Sequence, residues 1–431
     1  MEVHLEGAKR TGAALLVSGL AAILISFQAS KIWLADHRVQ SGRSDLMERG
    51  AALEPGNAEA WDRLGGMRQW DLMNPDPQRA VADLERAVKD DPLSAHDWMD
   101  LAAAYEDAGD IPRARAAFER AKSVYPSSGE VAWLYGNFLL RRQEYDAGYA
   151  QVQRAVNSDP TLLPLAITRT WRANQDVQIL LDRVIPPNGS AHFQALDFLA
   201  TNHQLDAALV VWQRLLAQGK PIALSRAFPF LTELIQQERS EDARRVWLEA
   251  LAAAGLPHEP PRNHSLVWNG DFSQDFANGG LDWHWDGPAG VMVDFDSVPS
   301  GRSGRSLRLD FSGGINVDLL DPYQYVPVEP SRAYRFHASL RTQSLTTESG
   351  ARMSIQEPFH HSPELLSENL MGTHPWTSVD ADLMTGPDTH FLRIRLRRIP
   401  SRLFDNKLGG SVWLADVSLT PAAAPAEEAA R

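Results

Sequence analysis

The sequence predicts a multidomain α + β chain: an N-terminal transmembrane helix, an α-solenoid of helix-pair repeats, and a C-terminal antiparallel β-sandwich. Three observations predict it. Twenty uncharged residues, TGAALLVSGLAAILISFQAS, separate Arg10 from Lys31. Proline and alanine recur every 34 residues through the middle of the chain. Beyond residue 263 the alanine-rich texture gives way to short runs of alternating apolar and polar residues, introduced by LVWNGDFSQDFANGGLDWHW at 266–285. A length of 431 residues fits several domains better than one.

The uncharged run spans roughly 30 Å as a helix, the thickness of a bilayer's hydrocarbon core. Lys9 and Arg10 precede it and Trp33 follows as an interfacial anchor. A cleaved signal peptide is the competing reading, but Phe27 or Gln28 would then stand where a small residue belongs. The expected arrangement is a tail at 1–10, a signal anchor at 11–34, and a single pass through the inner (cell) membrane. Lys31, Arg38 and Arg43 weaken the charge asymmetry. The short tail and long body still favour a body facing the periplasm or exterior.

The formal net charge is −13, and from Asn263 onward 21 acids face 14 bases. Acidity is thus spread along the chain, and no basic face points to nucleic acid. The absence of cysteine removes disulfides, thiolate metal sites and cysteine nucleophiles together.

Between residues 50 and 160 the period is 34. Pro92, Pro126 and Pro160 keep it, as do Ala87, Ala121 and Ala155, with Leu84, Phe118 and Val152 between them. That period with helical spacing means stacked helix pairs. In the middle unit Trp98, Leu101, Ala102 and Tyr105 form one helix face; Ala114, Phe118 and Ala121 form the facing one. Small residues let the helices approach, and Phe118 fills the gap. Trp61, Leu64 and Gly65 begin an earlier unit, and Gly136, Ala155 and Pro160 belong to a later one. Residues 161–188 read as a degenerate pair. Ala208 and Trp212, repeated as Ala243 and Trp247, predict two more pairs near 190–218 and 223–254.

This pattern resembles the tetratricopeptide repeat. The resemblance implies a solenoid over 44–256 that binds a protein partner in its groove. Trp61, Leu64, Trp98, Leu101, Tyr105, Phe118 and Ala121 are its core; Arg63, Asp97, Asp100, Asn137 and Arg141 are exposed groove candidates.

A linker at 257–264 is marked by GLPHEPPRN. After it SLRLDF (306–311), AYRFHASLR (333–341), ARMSIQ (351–356), HFLRIRLRR (390–398) and SVWLADVSL (411–419) all alternate with period two, as strands of an antiparallel sandwich do. The order NGDF, GLDW, SGRSLRL, YQYVPVEPSRAYRFHASLR and VWLADVSL resembles jelly-roll carbohydrate-binding modules over 265–421; residues 422–431 read as a disordered tail. On this reading 266–285 is the first strand and turn, with Phe272, Trp283 and Trp413 in the core.

The resemblance makes aromatic residues candidate sugar platforms, because an indole or phenol ring stacks on the C–H face of a sugar. Trp285 is one, on the same strand face as Trp283 if the strand is regular; Tyr323, Tyr325 and Trp376 are the others. Arginines form a second set. Arg393, Arg395 and Arg397 alternate with aliphatic residues, Arg335, His337 and Arg341 stand opposite Tyr334, Phe336, Ala338 and Leu340, and Arg308 adds a third strand. They either pair across strands with Asp310, Asp380 or Asp382, or line a groove for an acidic polysaccharide. The resemblance also implies a structural calcium ion on Asp271 and Asp416, although Ser273 stands where a glutamate commonly follows. No other cofactor is expected.

Catalysis is not expected. Glu357 ends a strand without an evident second carboxylate. His360, His361 and His374 lack metal-ligand spacing, and SGRSG at 300–304 precedes a strand rather than a helix. The chain therefore reads as a membrane-anchored envelope scaffold serving polysaccharide assembly or export. The alternatives are a scaffold for proteins alone, in envelope or secretion complexes, and an accessory subunit of a separately encoded glycan-active enzyme.

Overall fold

The structure is a computed structural model, and it describes residues 8–71, 76–258, 264–297, 304–360 and 362–422. Two compact units make it up, Met1–Ala191 and His192–Arg431. The helices number fourteen among the described residues and precede all nine strands.

In the first unit α1 (Ala8–Val39) is one unbroken helix. Its apolar side chains from Leu15 to Phe27 are exposed, whereas Ala35 and Val39 are buried against α2 (Ser44–Leu53). The close approach is made at Gly50, where a Cβ would lie 2.8 Å from the Ala35 carbonyl oxygen. The helix therefore outruns the expected anchor at 34, and its last turns serve as the first packing helix of the array.

The repeats follow as α3 (Ala58–Gln69) with α4 (Pro77–Asp90), α5 (Ala95–Asp107) with α6 (Ile111–Val124), and α7 (Gly129–Arg141) with α8 (Tyr145–Ser158). Short polar residues set the starts. The side chains of Asn57, Asp76, Ser94, Asp110 and Ser128 each accept from an N–H of the first turn. The indoles of Trp61 and Trp98 reinforce two of these turns, donating to the carbonyls of Pro55 (2.9 Å) and Pro92 (3.1 Å). At the helix crossings a Cβ on Gly65 would meet Leu84 at 2.6 Å, and one on Gly136 would meet Val152 at 3.0 Å. Ala102 and Phe118 are buried at the corresponding crossing. Leu64, Leu101, Tyr105 and Ala121 are buried as well, and Trp98 is half-buried. The degenerate pair is α9 (Leu163–Ala173) with α10 (Val177–Ile179), which runs into a single π-helical turn, Leu180–Val184.

The second unit joins helices to the sandwich. α11 (Gly189–Thr201), α12 (Leu205–Leu216), α13 (Phe228–Gln236) and α14 (Ser240–Ala253) supply the two further pairs, with Trp212 and Trp247 buried. The strands are β1 (Val291–Ser297), β2 (Arg305–Ser312), β3 (Tyr323–Pro327), β4 (Ala333–Leu345), β5 (Arg352–Gln356), β6 (Leu365–Leu366), β7 (Gly372–Met384), β8 (Phe391–Arg397) and β9 (Gly409–Pro421). They form one sheet in the order β1-β2-β9-β4-β7 and a second in the order β3-β8-β5-β6, with every paired strand antiparallel. Both sheets contribute to one core, with Leu307, Leu309, Phe336 and Leu414 from the first and Val326, Met353, Ile394 and Leu396 from the second.

The segment 266–285 departs from expectation. It is irregular rather than a strand, with Asn269, Phe272, Asn278 and Gly280 at positive φ and a single bridge from His284 to Tyr323. Phe272 and Trp283 are in the core as expected, and the Trp283 indole donates to the Asn269 carbonyl at 3.1 Å. Because the backbone is not pleated here, Trp285 does not share a strand face with Trp283; it packs half-buried at the core's margin. Gly279 and Gly280 are needed for close approach to helix residues. A Cβ on Gly279 would lie 2.4 Å from the Phe228 ring, and one on Gly280 would lie 2.6 Å from the Trp247 ring. The glycines seat helix aromatics.

Trp413 is a second correction. It is buried, but on the outer face of the five-stranded sheet, where Arg341 lies over its ring at 4.4 Å and its indole donates to Asp296 at 2.8 Å. The compact units divide after Ala191, so the helices from α12 onward are grouped with the sandwich. Of the linker expected at 257–264, residues 259–263 lie outside the described residues, as do 1–7 of the tail and 423–431.

Candidate functional site

Two surfaces gather chemistry-bearing side chains, one in each unit. In the first, a groove of about 510 Å³ is lined by the end of α1 (Val39, Gln40), Met47 of α2, Asp62, Arg63 and Met67 of α3, and Asp100 of α5. Arg63 is turned to Glu59 at 2.7 Å, which leaves the acids uncompensated from that side. Burial, then the Asp100 and Asp97 carboxylates, pushes Asp62 up to about 7, and burial raises Asp100 as well. His96, one helical turn before Asp100, lies 3.5 Å from it.

Among the other exposed groove candidates, Asp97 is a correction. It is only 7% exposed, because it accepts from the Ser94 hydroxyl at 2.5 Å within the helix cap. Asn137 donates to the Trp133 carbonyl, and Arg141 pairs with Glu106 at 2.6 Å.

In the second unit the outer face of the four-stranded sheet collects five of the predicted residues. On β3, Tyr323 and Tyr325 stand opposite Arg395 and Arg393 of β8. The aromatic row continues on both sides. His284 stacks on Tyr323 with ring centres 4.7 Å apart, and Phe359 stacks on Tyr325 at 6.3 Å. Burial pushes the Tyr323 hydroxyl up to about 12, so it stays a hydrogen-bond donor at any physiological pH. The arginine row runs beside it. Arg393 donates to the neutral Gln356 at 2.8 Å. Arg395, 8% exposed, is held by Glu364 at 2.5 Å and Ser354 at 3.2 Å. Arg397 pairs with Asp318.

The remaining predicted residues lie elsewhere. Arg335 and Arg341 of β4 and Trp376 of β7 belong to the five-stranded sheet. There the aspartates named from the sequence are the partners: Arg335 meets Asp382 at 2.9 Å, His337 meets Asp380 at 2.8 Å, and Arg308 meets Asp310 at 2.9 Å. The arginines therefore do not form one stripe. Two sheets share them.

Beside Phe359, the structure supplies the carboxylate that Glu357 lacked in the sequence. Glu238, in the α13–α14 turn, Glu357 and His360 bring their ligand atoms within 4.8 Å of one another. Glu357 is 4% exposed, and its two oxygens accept the N–H groups of Phe359 and His360, so it staples its own loop and presents no face to a substrate. His361 and part of SGRSG lie outside the described residues, and His374 lies on β7.

Calcium needs six or more oxygens. Asp271 accepts from Ser273 N–H on its side chain (3.1 Å) and from Arg305 N–H on its carbonyl (2.9 Å). The Arg305 guanidinium binds the Phe272 carbonyl and Asp275, both at 2.8 Å, so a cation already stands beside Asp271. Asp416 is near through Val417, whose N–H donates to Gly270. Among the described residues, Asp271 and Asp416 do not fall in a group of three or more acidic or histidine ligand atoms within 4.8 Å.

The sequence profile of the tetratricopeptide repeat matches residues 74–123 and 99–162, so the helical middle carries tetratricopeptide repeats. No curated protein matches the chain. Among solved structures, the crystal structure of MamA is similar at 16% identity and a TM-score of 0.27, covering 37% of this chain and 98% of that one. YrrB, "a TPR protein with an unusual peptide-binding site", has 16% identity and a TM-score of 0.26 over 49% of this chain and 94% of its own. A CBM4 structure has 16% identity and a TM-score of 0.26 over 36% and 99%. At these scores the likenesses bear on neither ligand nor partner.

Proposed function

We propose that this chain is a non-enzymatic scaffold of the cell envelope, held in the inner membrane by α1 with its body outside the cytoplasm. It takes a protein partner in the groove of its first repeats and an acidic polysaccharide on the four-stranded sheet, in polysaccharide assembly or export. Tetratricopeptide repeats mediate protein–protein interaction, which supports the scaffold role. The jelly-roll resemblance read from the sequence supports the glycan role. The observation that carries the finer reading is the row of His284, Tyr323, Tyr325 and Phe359 beside Arg393, Arg395 and Arg397. Rings stack on sugar C–H faces, and a guanidinium fork matches a uronic-acid carboxylate.

Arg393 is the residue to test, because it donates to a neutral glutamine, Gln356, rather than to an acid. Full-length chain in detergent should bind polygalacturonate or alginate at low ionic strength, and binding should weaken as salt rises. Tyr325→Ala with Arg393→Ala should lower affinity by about tenfold or more at unchanged melting temperature. A wild-type chain that ignores both polymers at low salt would leave the repeats as a scaffold for proteins alone.

A further inference from the structure

Asp62, His96 and Asp100 come from two different helices of the first unit, and their ligand atoms all lie within 4.8 Å of one another. Three facts make this more than a patch of acids. The donor set is mixed, with one imidazole and two carboxylates. His96 and Asp100 are one turn apart on α5, the spacing that lets a helix present two ligands to one ion. Finally, Asp62 Oδ1 is shut off from solvent with no amide, hydroxyl or guanidinium donor against it, and the side chain meets another acid, Asp100, instead.

We propose that Asp62, His96 and Asp100 bind a first-row transition-metal dication of the zinc class, with a coordination position left open toward the groove. Two donors on one tetrahedral ion, each at about 2.0–2.1 Å, stand roughly 3.3–3.5 Å apart. His96 Nε2 and Asp100 Oδ2 already stand 3.5 Å apart. The ion gives Asp62 Oδ1 a partner and offsets two acids that crowd each other. His96 itself is the group that offsets them among the described residues. Magnesium, calcium and manganese favour oxygen ligands, so the imidazole selects zinc or a close first-row neighbour instead. Three protein ligands leave the fourth to water or to a donor on whatever enters the groove, whose floor is Val39, Met47 and Met67. The second cluster, Glu238–Glu357–His360, is the weaker candidate because both Glu357 oxygens are already taken by backbone N–H groups. This site goes beyond the proposed function and needs neither partner nor glycan.

The test uses full-length chain in detergent, stripped with EDTA and titrated with Zn²⁺ by calorimetry and with Co²⁺ by visible absorption. One equivalent should bind, with the intense d–d bands of tetrahedral cobalt and a raised melting temperature. His96→Ala should lower affinity about tenfold or more. Asp62→Asn should abolish the cobalt bands and yet leave the metal-free protein at least as stable, since it removes like-charge crowding; a merely misfolded variant would lose both. His360→Ala should change nothing. Absence of binding at millimolar metal, or binding that survives His96→Ala and Asp62→Asn, or binding lost in His360→Ala, overturns the assignment.

Discussion

At the scale of single residues, burial decides which side chains carry stability and which titrate. Phe118 is buried between Tyr135 and Phe138, with ring centres 5.4 and 5.1 Å away, so Phe118→Ala should cost about 3–5 kcal/mol. Chemical denaturation followed by helical circular dichroism measures it; a loss under ~1 kcal/mol would mean that the repeats collapse into the cavity. Asp282 is the titrating counterpart in the second unit. Burial pushes its carboxyl up to about 6, against the partial compensation of the Ala277 and Trp283 N–H groups and Asn269. A carboxyl raised above its unfolded value favours folding fully below pH ~4, and that contribution is lost as pH rises through about 6. The second unit should therefore lose on the order of 2–3 kcal/mol between pH 4 and 7 from this group. Asp282→Asn should flatten the profile, keeping the accepted bond from Ala277 N–H (2.7 Å). Equal pH slopes for the two proteins would exclude Asp282 as the source.

At the scale of elements, glycine positions record where backbones and rings meet. Gly280 has φ of +62° and lies against Trp247 of α14, so Gly280→Ala adds both backbone strain and a clash. About 2–4 kcal/mol should be lost, and hydrogen exchange should rise in α13 and α14 together with the 266–285 segment. An increase confined to 266–285 would show that the helices do not depend on this seat. The sequence read 266–285 as a first strand and turn, with Asn278, Gly279 and Gly280 as turn residues by composition. Composition cannot distinguish a glycine needed for its own φ from one needed because a distant ring presses on it. The same blindness explains β7, whose THPWTS start carries no clean alternation, and Trp413, whose period-two position put it on the outer face while arginine and aspartate covered it. Glu238 and Glu357, 119 positions apart in sequence, illustrate the limit for sites. No local pattern brings a helix–helix turn to a sheet loop.

At the scale of the whole molecule, α1 runs without a break from an apolar stretch into the packing of the array. Its apolar surface from Leu15 to Phe27 is exposed, so it is not a core helix, and it is long and apolar enough to cross a membrane. Full-length chain should stay with membranes after high-salt and carbonate washes. External protease should reach the body in spheroplasts; protection there, with cleavage only after lysis, would reverse the orientation. Cutting at residue 40 to make a soluble body should cost stability, because Ala35 and Val39 pack on α2. A body starting at residue 32 should melt higher than one starting at 40. The two compact units should respond separately, so Phe118→Ala should raise exchange within 76–191 and leave 264–422 unchanged.

Periodicity and local chemistry are properties of neighbouring residues, and they were enough to determine the repeat helices, the apolar N-terminal helix and five of the strands. Period 34 needs only that the same contacts recur, and period two needs only that one sheet face be buried. Tertiary structure decided everything that depends on partners far apart in sequence. It divided the arginines between two sheets, gathered Tyr323, Tyr325 and Arg393 on one face, and packed the Gly279-Gly280 turn against Phe228 and Trp247. It also converged Asp62 with His96 and Asp100 across two helices. The reason is physical: a side chain's alternation fixes the face it takes, but only the pairing order of strands and the crossing of helices fixes what stands opposite.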